Sequence, residues 1–546
     1  MAMGRSSSVR PRSTACPNMP RSPRTPRMIN DLSGQGKVVR SADYIVVGAG
    51  TVGLPVSVML ARQNGAKVVC LESGGEYQDA DTHPLNEVVH RATEYGGAAH
   101  GRFRCLGGTS SRWGGALIPF QAADLADAGW PVGMDDLTPY LDAAERFFSL
   151  ESGPYSDPAF PFDLGPDHVN RLAKWPAFRL RNVANVVGTE ARNLPNLDLW
   201  LNASVTEILA DPLGSGVSVR ARSLSGDEIT VTAPRLIIAA GAIETPRLTL
   251  LADRQNGGAI GAASPTLGRY FADHISIGVA EIEPRRATAL NKIVGFRFDT
   301  GGGMRNIRFE LAQTSALRAS LPPSFVHIGF EIDRPGGFDA LREVFRYLQM
   351  RRLPPMRVGL DLLRNLPWLT RAVWWRFIHK RLLFPAKSRL VAHVVIEQPA
   401  TAENRITLHT ERSDPFGLPL AEIDWRVRDE DIEKLTRTAD AFGAMWQATD
   451  FAGFGTWKRY PQQDIAHMVR DSGGIFHPTG STRMGKDAAS GVVDRDLKLF
   501  SFPQIQLLST SALPTGGGAN PTMMLFLLAM RCVDQHGRAS GHSPTI

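Results

Sequence analysis

Cysteine is scarce in this chain. Cys16, Cys70, Cys105 and Cys532 are the only four among 546 residues, and none share C-x-x-C spacing. That argues against a disulfide framework or a zinc site, so no metal is expected, and it fits a reducing compartment, the cytoplasm. No apolar run approaches the length that crosses a bilayer. No internal repeat is present, which sets aside solenoids and propellers. Acidic residues are missing from two stretches. Residues 1–30 hold six arginines (Arg5, Arg10, Arg12, Arg21, Arg24 and Arg27) and no acid. This Ser/Pro/Arg segment has almost nothing to bury and lacks the apolar core of a secretory signal, so a disordered basic tail over 1–38 is expected. Residues 346–389 hold eleven Lys and Arg against Asp361 alone. The formal net charge of +7 therefore sits in two segments and the remainder is mildly acidic, which argues against general nucleic-acid binding.

What is present is enough apolar residue, 43%, for two domains or one large interleaved unit. The nucleotide signal comes first. Tyr44–Val47 is a short β-branched run that predicts a buried parallel strand. Gly48, Gly50 and Gly53 follow as G-x-G-x-x-G, then a helix over Val52–Arg62 and a second strand over Lys67–Leu71. Glu72 ends that strand 19 residues after Gly53. The glycines permit a tight turn and close backbone approach, the helix N-terminus faces a pyrophosphate, and Glu72 can accept from a ribose hydroxyl. A lone glycine motif is weak evidence; strand, motif, helix, strand and acid in register are strong evidence. Far along the chain, Leu236–Ala240 predicts another buried strand, followed by Gly241 and a helix from near Pro246. A strand returning to the nucleotide site from so far away suits a flavoprotein better than a simple NAD enzyme.

Arg104–Gly115, RCLGGTSSRWGG, can bring its backbone close to a planar ligand, although alone it could be a surface turn. From here the chain resembles the glucose-methanol-choline (GMC) family of FAD-dependent oxidoreductases. Collinear blocks carry the resemblance: Gly48 to Glu72, LGGTSSRWGG, AAGAIETPRLTLL, LGRYFADH (Leu267–His274), ENRITL (Glu403–Leu408), HPTGSTRMG and ALPTGGGANPTMM (Ala512–Met524). The SSRWGG and GGANPT variants are closer to the sugar-oxidising, pyranose oxidase-like branch. Two departures stand out. Ser509 occupies a position where the family usually has Asp, and residues 254–264 replace the usual Ser-Gly-Ile-Gly.

The resemblance implies an α/β fold: a Rossmann-like FAD-binding domain, interleaved in sequence, with an α+β substrate domain built on an antiparallel sheet. The expected division is 40–130, 200–275 and 470–535 for FAD, 131–199 for connecting and cap segments, and 276–469 for substrate. It implies that FAD is held by Gly48, Gly50, Gly53 and Glu72; by Gly107, Gly108, Thr109, Ser110, Trp113 and Gly114; by Val205, Ala240 and Gly241; and by Ser511, Asn520, Pro521 and Thr522. It also implies a non-covalent FAD, because Arg112 stands where other members attach the cofactor through histidine. Finally it places His477 and Asn520 beside the flavin ring.

That placement makes chemical sense. Oxidising an alcohol removes a carbon-bound hydride, which the flavin N5 takes, and a hydroxyl proton. A neutral imidazole with a pKa near the working pH can accept that proton. The Asn520 amide can hold the alcohol oxygen in line. Pro478 and Pro521 stiffen the two loops. His467 is a competitor in a helical context, while His274 and His393 look structural. Asn520 also suits the N-cap of a helix over Met523–Val533. The expected substrate is a small-molecule alcohol on a sugar, glycoside or polyol. The electron acceptor stays open between oxygen, a quinone and a protein carrier. Competing readings are a non-redox or photochemical enzyme on the same scaffold (hydroxynitrile lyase-like or photodecarboxylase-like), long-chain alcohol oxidation at a membrane surface, and a flavoprotein that serves chiefly to bind partners or membranes.

HVVIEQ and NRITLHT are strand-like, Asp414–Pro419 is a tight connection, and residues 429–446 predict an amphipathic helix. Two short helices are expected between Pro355, Pro367 and Pro385 within 346–389. That basic, aromatic block admits three readings: an insertion packed on the core, peripheral contact with an anionic membrane, or docking of an acidic protein.

Overall fold

The computed structural model describes residues 29–539 except 80, 333–335, 350–352, 386–387, 473 and 519. The predicted β-branched runs form the centre of a six-stranded sheet. Its order is Ile29–Asp31, Leu197–Leu201, Val68–Leu71, Tyr44–Val47, Arg235–Ile238 and Ile505–Leu507. Every neighbouring pair is parallel. YIVV and VVCL are buried at every position, as expected for strands covered on both faces. Helices Gly53–Asn64, Gly241–Gln255 and Thr522–Ala539 complete this half. The chain returns to the sheet three times after leaving it, so the nucleotide half is assembled from distant segments.

The second half is a seven-stranded antiparallel sheet. Its order is Arg297–Phe298, Met304–Leu311, Ser324–Glu331, Arg389–Glu397, His274–Pro284 and Gly455–Arg459, with His168–Trp175 pairing Met304–Leu311. Helix Asp429–Ala448 packs on it through Leu435, Ala439, Phe442 and Trp446, all fully buried and spaced on one face. Two smaller sheets flank the halves. One joins Lys37–Ser41, Glu228–Ala233, Val217–Arg222 and Ser204–Ala210; the other joins Arg405–Ser413, Pro419–Asp424 and Val88–His90.

Several expectations need correction. The tail predicted over 1–38 is folded from Ile29: Ile29 to Asp31 pair with Leu199 to Leu201, and Leu32 is fully buried. The unpaired edge of the parallel sheet recruits that segment, while residues 1–28 lie outside the described residues. Strands 405–424 join Val88–His90 rather than the main antiparallel sheet. The helix expected near Pro246 begins at Gly241, whose φ of 79° turns the chain sharply out of the strand, so Pro246 falls inside it. The final helix starts at Thr522 and the side chain of Asn520 is directed to other groups, described below. In the basic block, helix Gly337–Gln349 precedes Met356–Arg364 and Leu366–Trp374, and the break falls at Asn365 rather than Pro367. No helix among the described residues is long and apolar enough to cross a membrane.

Candidate active site

A cavity of about 240 Å³ runs along the C-terminal edge of the parallel sheet. Gly48, Gly50, Glu72, Gly108, Thr109, Val205, Ala240, Gly241, His477, Pro521 and Thr522 line it. The structure thus brings together segments from six parts of the chain. Gly53, Gly107, Ser110, Trp113, Gly114, Ser511 and Asn520 are not among its lining residues. Most of these support the walls. A Cβ on Gly53 would overlap the Gly48 carbonyl oxygen, and one on Gly107 would overlap the Asn182 amide. Ser110 donates to the Gly107 carbonyl (2.5 Å) and accepts from the Val183 N–H (3.1 Å). Trp113 donates to the Arg181 carbonyl (2.8 Å), and the Ser511 and Thr482 hydroxyls share a hydrogen bond of 2.7 Å. Ser509, the departure from the family pattern, lines the cavity and caps its own short turn by accepting from the Ser511 N–H (3.2 Å).

Two features at one end suit a dinucleotide. Glu72 accepts from the Ala49 N–H (2.8 Å) and the Gly74 N–H (2.9 Å), which pins its carboxylate under the glycine turn. Burial pushes its pKa up, against the pull of these bonds. Beside it, Arg104 pairs with Glu244 (2.9 Å), and Arg247 pairs with Glu244 (2.8 Å) and Asp414 (2.6 Å). Burial alone would raise Glu244, but Arg247, Arg104 and Arg102 outweigh it and hold the carboxyl at about 2. Arg102, Arg104 and Arg247 thus stand on this wall beside Glu72, Glu244 and Asp414.

At the other end, the peptide before His477 is strained: Phe476 has φ of 68°. A bulky residue there costs about 1–3 kcal/mol and persists only where its surroundings enforce it. Asp273 does the enforcing. It accepts from the N–H groups of Phe476 (2.9 Å), His477 (2.8 Å) and His274 (2.7 Å) and from the Tyr95 hydroxyl (2.8 Å). Burial lifts its pKa to about 6 despite these four donors. A second carboxylate, Glu397, accepts from the Thr515 hydroxyl and the Gly516 N–H, the latter at 2.8 Å, and so anchors the loop leading to Asn520. Burial lifts Glu397 to about 7.

These anchors bring His477 and Asn520 together, with Nε2 and Nδ2 3.1 Å apart. Arg308 fixes which way the amide points, because its Nη2 donates to Asn520 Oδ1 (3.2 Å). The Asn520 NH₂ group therefore donates to His477 Nε2, and the ring proton sits on Nδ1. The expectation of an imidazole titrating near the working pH needs correction. Burial, then the neighbouring His274 and Arg308, pull His477 down to about 3, so it is neutral and its Nε2 lone pair accepts from Asn520. His274 stands edge-on at 5.3 Å and bonds the Gly517 carbonyl (2.7 Å). His467 is on the surface, facing Asp471, and is not part of the site. Sequence reasoning missed Asp273, Arg308 and Glu397.

Residues 400–529 match the family model described as GMC oxidoreductase. Over most of its length the chain is similar to GMC oxidoreductases. It is 22% identical to 2-methyl-1,2-propanediol dehydrogenase of Mycolicibacterium austroafricanum, over 91% of this chain and 95% of that one. It is 23% identical to C-glycoside 3-oxidase of Arthrobacter globiformis, over 92% and 85%. The solved pyridoxine 4-oxidase of Mesorbium loti shares the fold, with a TM-score of 0.56 at 16% identity over 91% of this chain and 99% of that one. A solved formate oxidase of Aspergillus oryzae, studied for modification of its FAD, has the same fold, with a TM-score of 0.51 at 15% identity over 92% of this chain and 98% of that one. The cavity fits that cofactor. A Cβ on Gly48 would lie 2.6 Å from the Ala239 carbonyl oxygen and one on Gly108 2.7 Å from Gly50 Cα, so the glycines let the backbones close around a flat ligand. The glycine turn and the N-terminus of helix Gly53–Asn64 suit a pyrophosphate.

Proposed function

We propose that this GMC-like oxidoreductase oxidises a carbinol of a sugar, glycoside or polyol, with His477 as the base. The observation that carries the reading is the His477 Nε2–Asn520 Nδ2 pair at 3.1 Å. An alcohol oxygen that displaces this hydrogen bond meets a lone pair and a donor at once. Asn520 holds the oxygen, and Nε2 accepts the hydroxyl proton as the C–H bond breaks. FAD, when bound, supplies the hydride acceptor. The glycine turn and Arg104 would hold its pyrophosphate, Glu72 a ribose hydroxyl, and Pro521 and Thr522 would set the N-terminus of the last helix toward the redox end, where it favours negative charge. Similarity to a diol dehydrogenase and a glycoside oxidase supports a polyhydroxylated substrate.

The test is anaerobic mixing of the purified holoenzyme with sugars, glycosides, polyols and long-chain alcohols while flavin absorbance is followed. Bleaching by a polyhydroxylated alcohol is expected. No bleaching by any alcohol sinks the redox reading in favour of a non-redox scaffold enzyme. Arg112 forms no bond to a flavin methyl group, so acid precipitation should leave the yellow colour in the supernatant, and a yellow pellet would contradict this.

A further inference from the structure

The strangest surface of the molecule is the basic block. Eighteen large apolar side chains are exposed among the described residues, and eleven of them fall between Phe345 and Ile378. They are not scattered. On helix Met356–Arg364, Met356, Leu360 and Leu363 are spaced by four and three residues, which places them on one face, and that face is turned to solvent. On Leu366–Trp374 and the turn that extends it to His379, Val373, Trp374 and Phe377 repeat the pattern. Met356 is 84% exposed, Leu363 68% and Phe377 71%. The helices are nevertheless well seated. Val358 and Trp375 are buried beneath them, and Phe338 packs edge-on against Phe330 of the antiparallel sheet at 4.8 Å. The apolar stripes are therefore the outer faces of anchored helices. A contiguous apolar face of this kind marks an interaction surface.

Charge selects the occupant. Arg346, Arg371 and Lys380 are exposed around the stripes, and Arg357 and Arg364 are 70% and 76% exposed while touching Glu343 and Asp361. Cations exceed acids on this face. A second copy docked face to face would oppose like charges, whereas an anionic lipid surface would meet them. Leu, Trp, Phe and Ile bounded by Arg and Lys are the side chains that settle at the boundary of headgroups and acyl chains, the long cations reaching back to the phosphates. We propose that helices 337–349, 356–364 and 366–379 form a docking face by which the enzyme lies on an anionic lipid bilayer without spanning it. The face adjoins the cavity loop: the Phe345 ring packs 5.5 Å from that of Phe178, and Arg346 lies close enough to Arg112 to add to the effect of burial in lowering its pKa.

The experiment is flotation of the holoenzyme with vesicles of phosphatidylcholine and phosphatidylglycerol, and with vesicles of phosphatidylcholine alone, at low and high salt. Three proteins are compared: wild type, Leu363→Glu/Phe377→Glu, and Arg371→Glu/Lys380→Glu. The flavin spectrum checks each variant's fold, and the second pair changes only exposed cations. Wild type should bind the anionic vesicles at low salt, at least about tenfold more tightly than either variant, and release as salt screens the cations. Binding absent at low salt, equal on both kinds of vesicle, or unchanged in both variants overturns the proposal. Light scattering without lipid supplies the remaining outcome: a dimer that Leu363→Glu/Phe377→Glu dissociates would assign the face to a second copy and overturn it too.

Discussion

Arg308 shows how one side chain can decide the protonation state of another that it does not touch. It is 3% exposed and lies over the Phe325 ring at 4.0 Å, and its Nε and Nη1 have no hydrogen-bond partner. Its remaining contact, to Asn520 Oδ1, leaves the amide only one orientation toward His477. Arg308 is thus a positioning residue for the proposed base. In Arg308→Met the amide is free to turn its carbonyl to Nε2, which would move the ring proton there and block it. We expect Arg308→Met to lower kcat for flavin reduction while leaving FAD content intact, with partial recovery in Arg308→Lys. Its effect should not add to that of Asn520→Ala: the two losses should be coupled by about 1 kcal/mol or more. Additive losses would assign Arg308 a structural role only. His477→Ala should slow flavin reduction by about 10²–10⁴-fold, as loss of a positioned base does. The histidine is held neutral down to about pH 3, so in wild type the acidic limb of kcat/KM should fall below about pH 5. A limb centred near the ordinary imidazole pKa, or wild-type reduction by His477→Ala, would remove His477 from the base role.

At the scale of elements, two glycines three residues apart do different work, and substitution separates them. A Cβ on Gly53 overlaps the Gly48 carbonyl oxygen and comes 3.1 Å from Ala239 Cβ, so the helix must move. A Cβ on Gly50 meets nothing nearer than Gly108 Cα at 3.9 Å. Gly53→Ala should therefore lower both the melting temperature of the FAD-free protein and FAD retention. Gly50→Ala should lower FAD retention alone, because only the cofactor needs that space. Equal melting losses in the two FAD-free variants would contradict this assignment. The strands around these glycines were legible because buried parallel strands are short β-branched runs, and YIVV, VVCL and RLII carry that signal locally. His477 and Asn520 were legible because their loops are unusual in glycine and proline. Asp273, Arg308 and Glu397 were not. Each is one polar residue in or beside an ordinary strand, and its partner lies 204, 212 or 119 residues away. Nothing local marks a carboxylate as a clamp until the fold delivers the N–H groups it accepts from. The helix start at Gly241 was hidden for a different reason: a proline usually opens a helix, and here it sits within one.

For the molecule as a whole, buried titratable groups make stability depend on pH: His477, His274, Asp273 and Glu397 lie about the candidate site, His327 in the antiparallel sheet and His536 beside Tyr44 of the parallel sheet. Burial holds His477 and His327 down at about 3 and His274 and His536 at about 4. The unfolded chain binds protons on these rings up to their ordinary pKa near 6.5, and the folded protein does not. Their stabilisation is therefore absent in acid and returns as pH rises to about 6.5. Burial lifts Asp273 to about 6 and Glu397 to about 7, which works in the opposite sense. The folded protein holds those two protons while the unfolded chain releases them, so this contribution is complete below about pH 4 and is lost as pH rises through 6 to 7. Each proton of difference changes stability by about 1.4 kcal/mol per pH unit. Four rings against two carboxyls leave a net rise between about pH 4.5 and 6. At about 6.5 the rings are half titrated, and above it their remaining contribution and that of Glu397 nearly cancel, so the slope should level off to a plateau. Melting of the holoenzyme followed across this range should show a rise, then a plateau. Glu397→Gln keeps an acceptor for the Gly516 N–H but has no proton to release, so it removes an opposing contribution and should steepen the rise between about pH 4.5 and 7. A melting temperature that falls between pH 4.5 and 6, or a rise that is no steeper in Glu397→Gln, would mean that the pH dependence is set by groups other than these six.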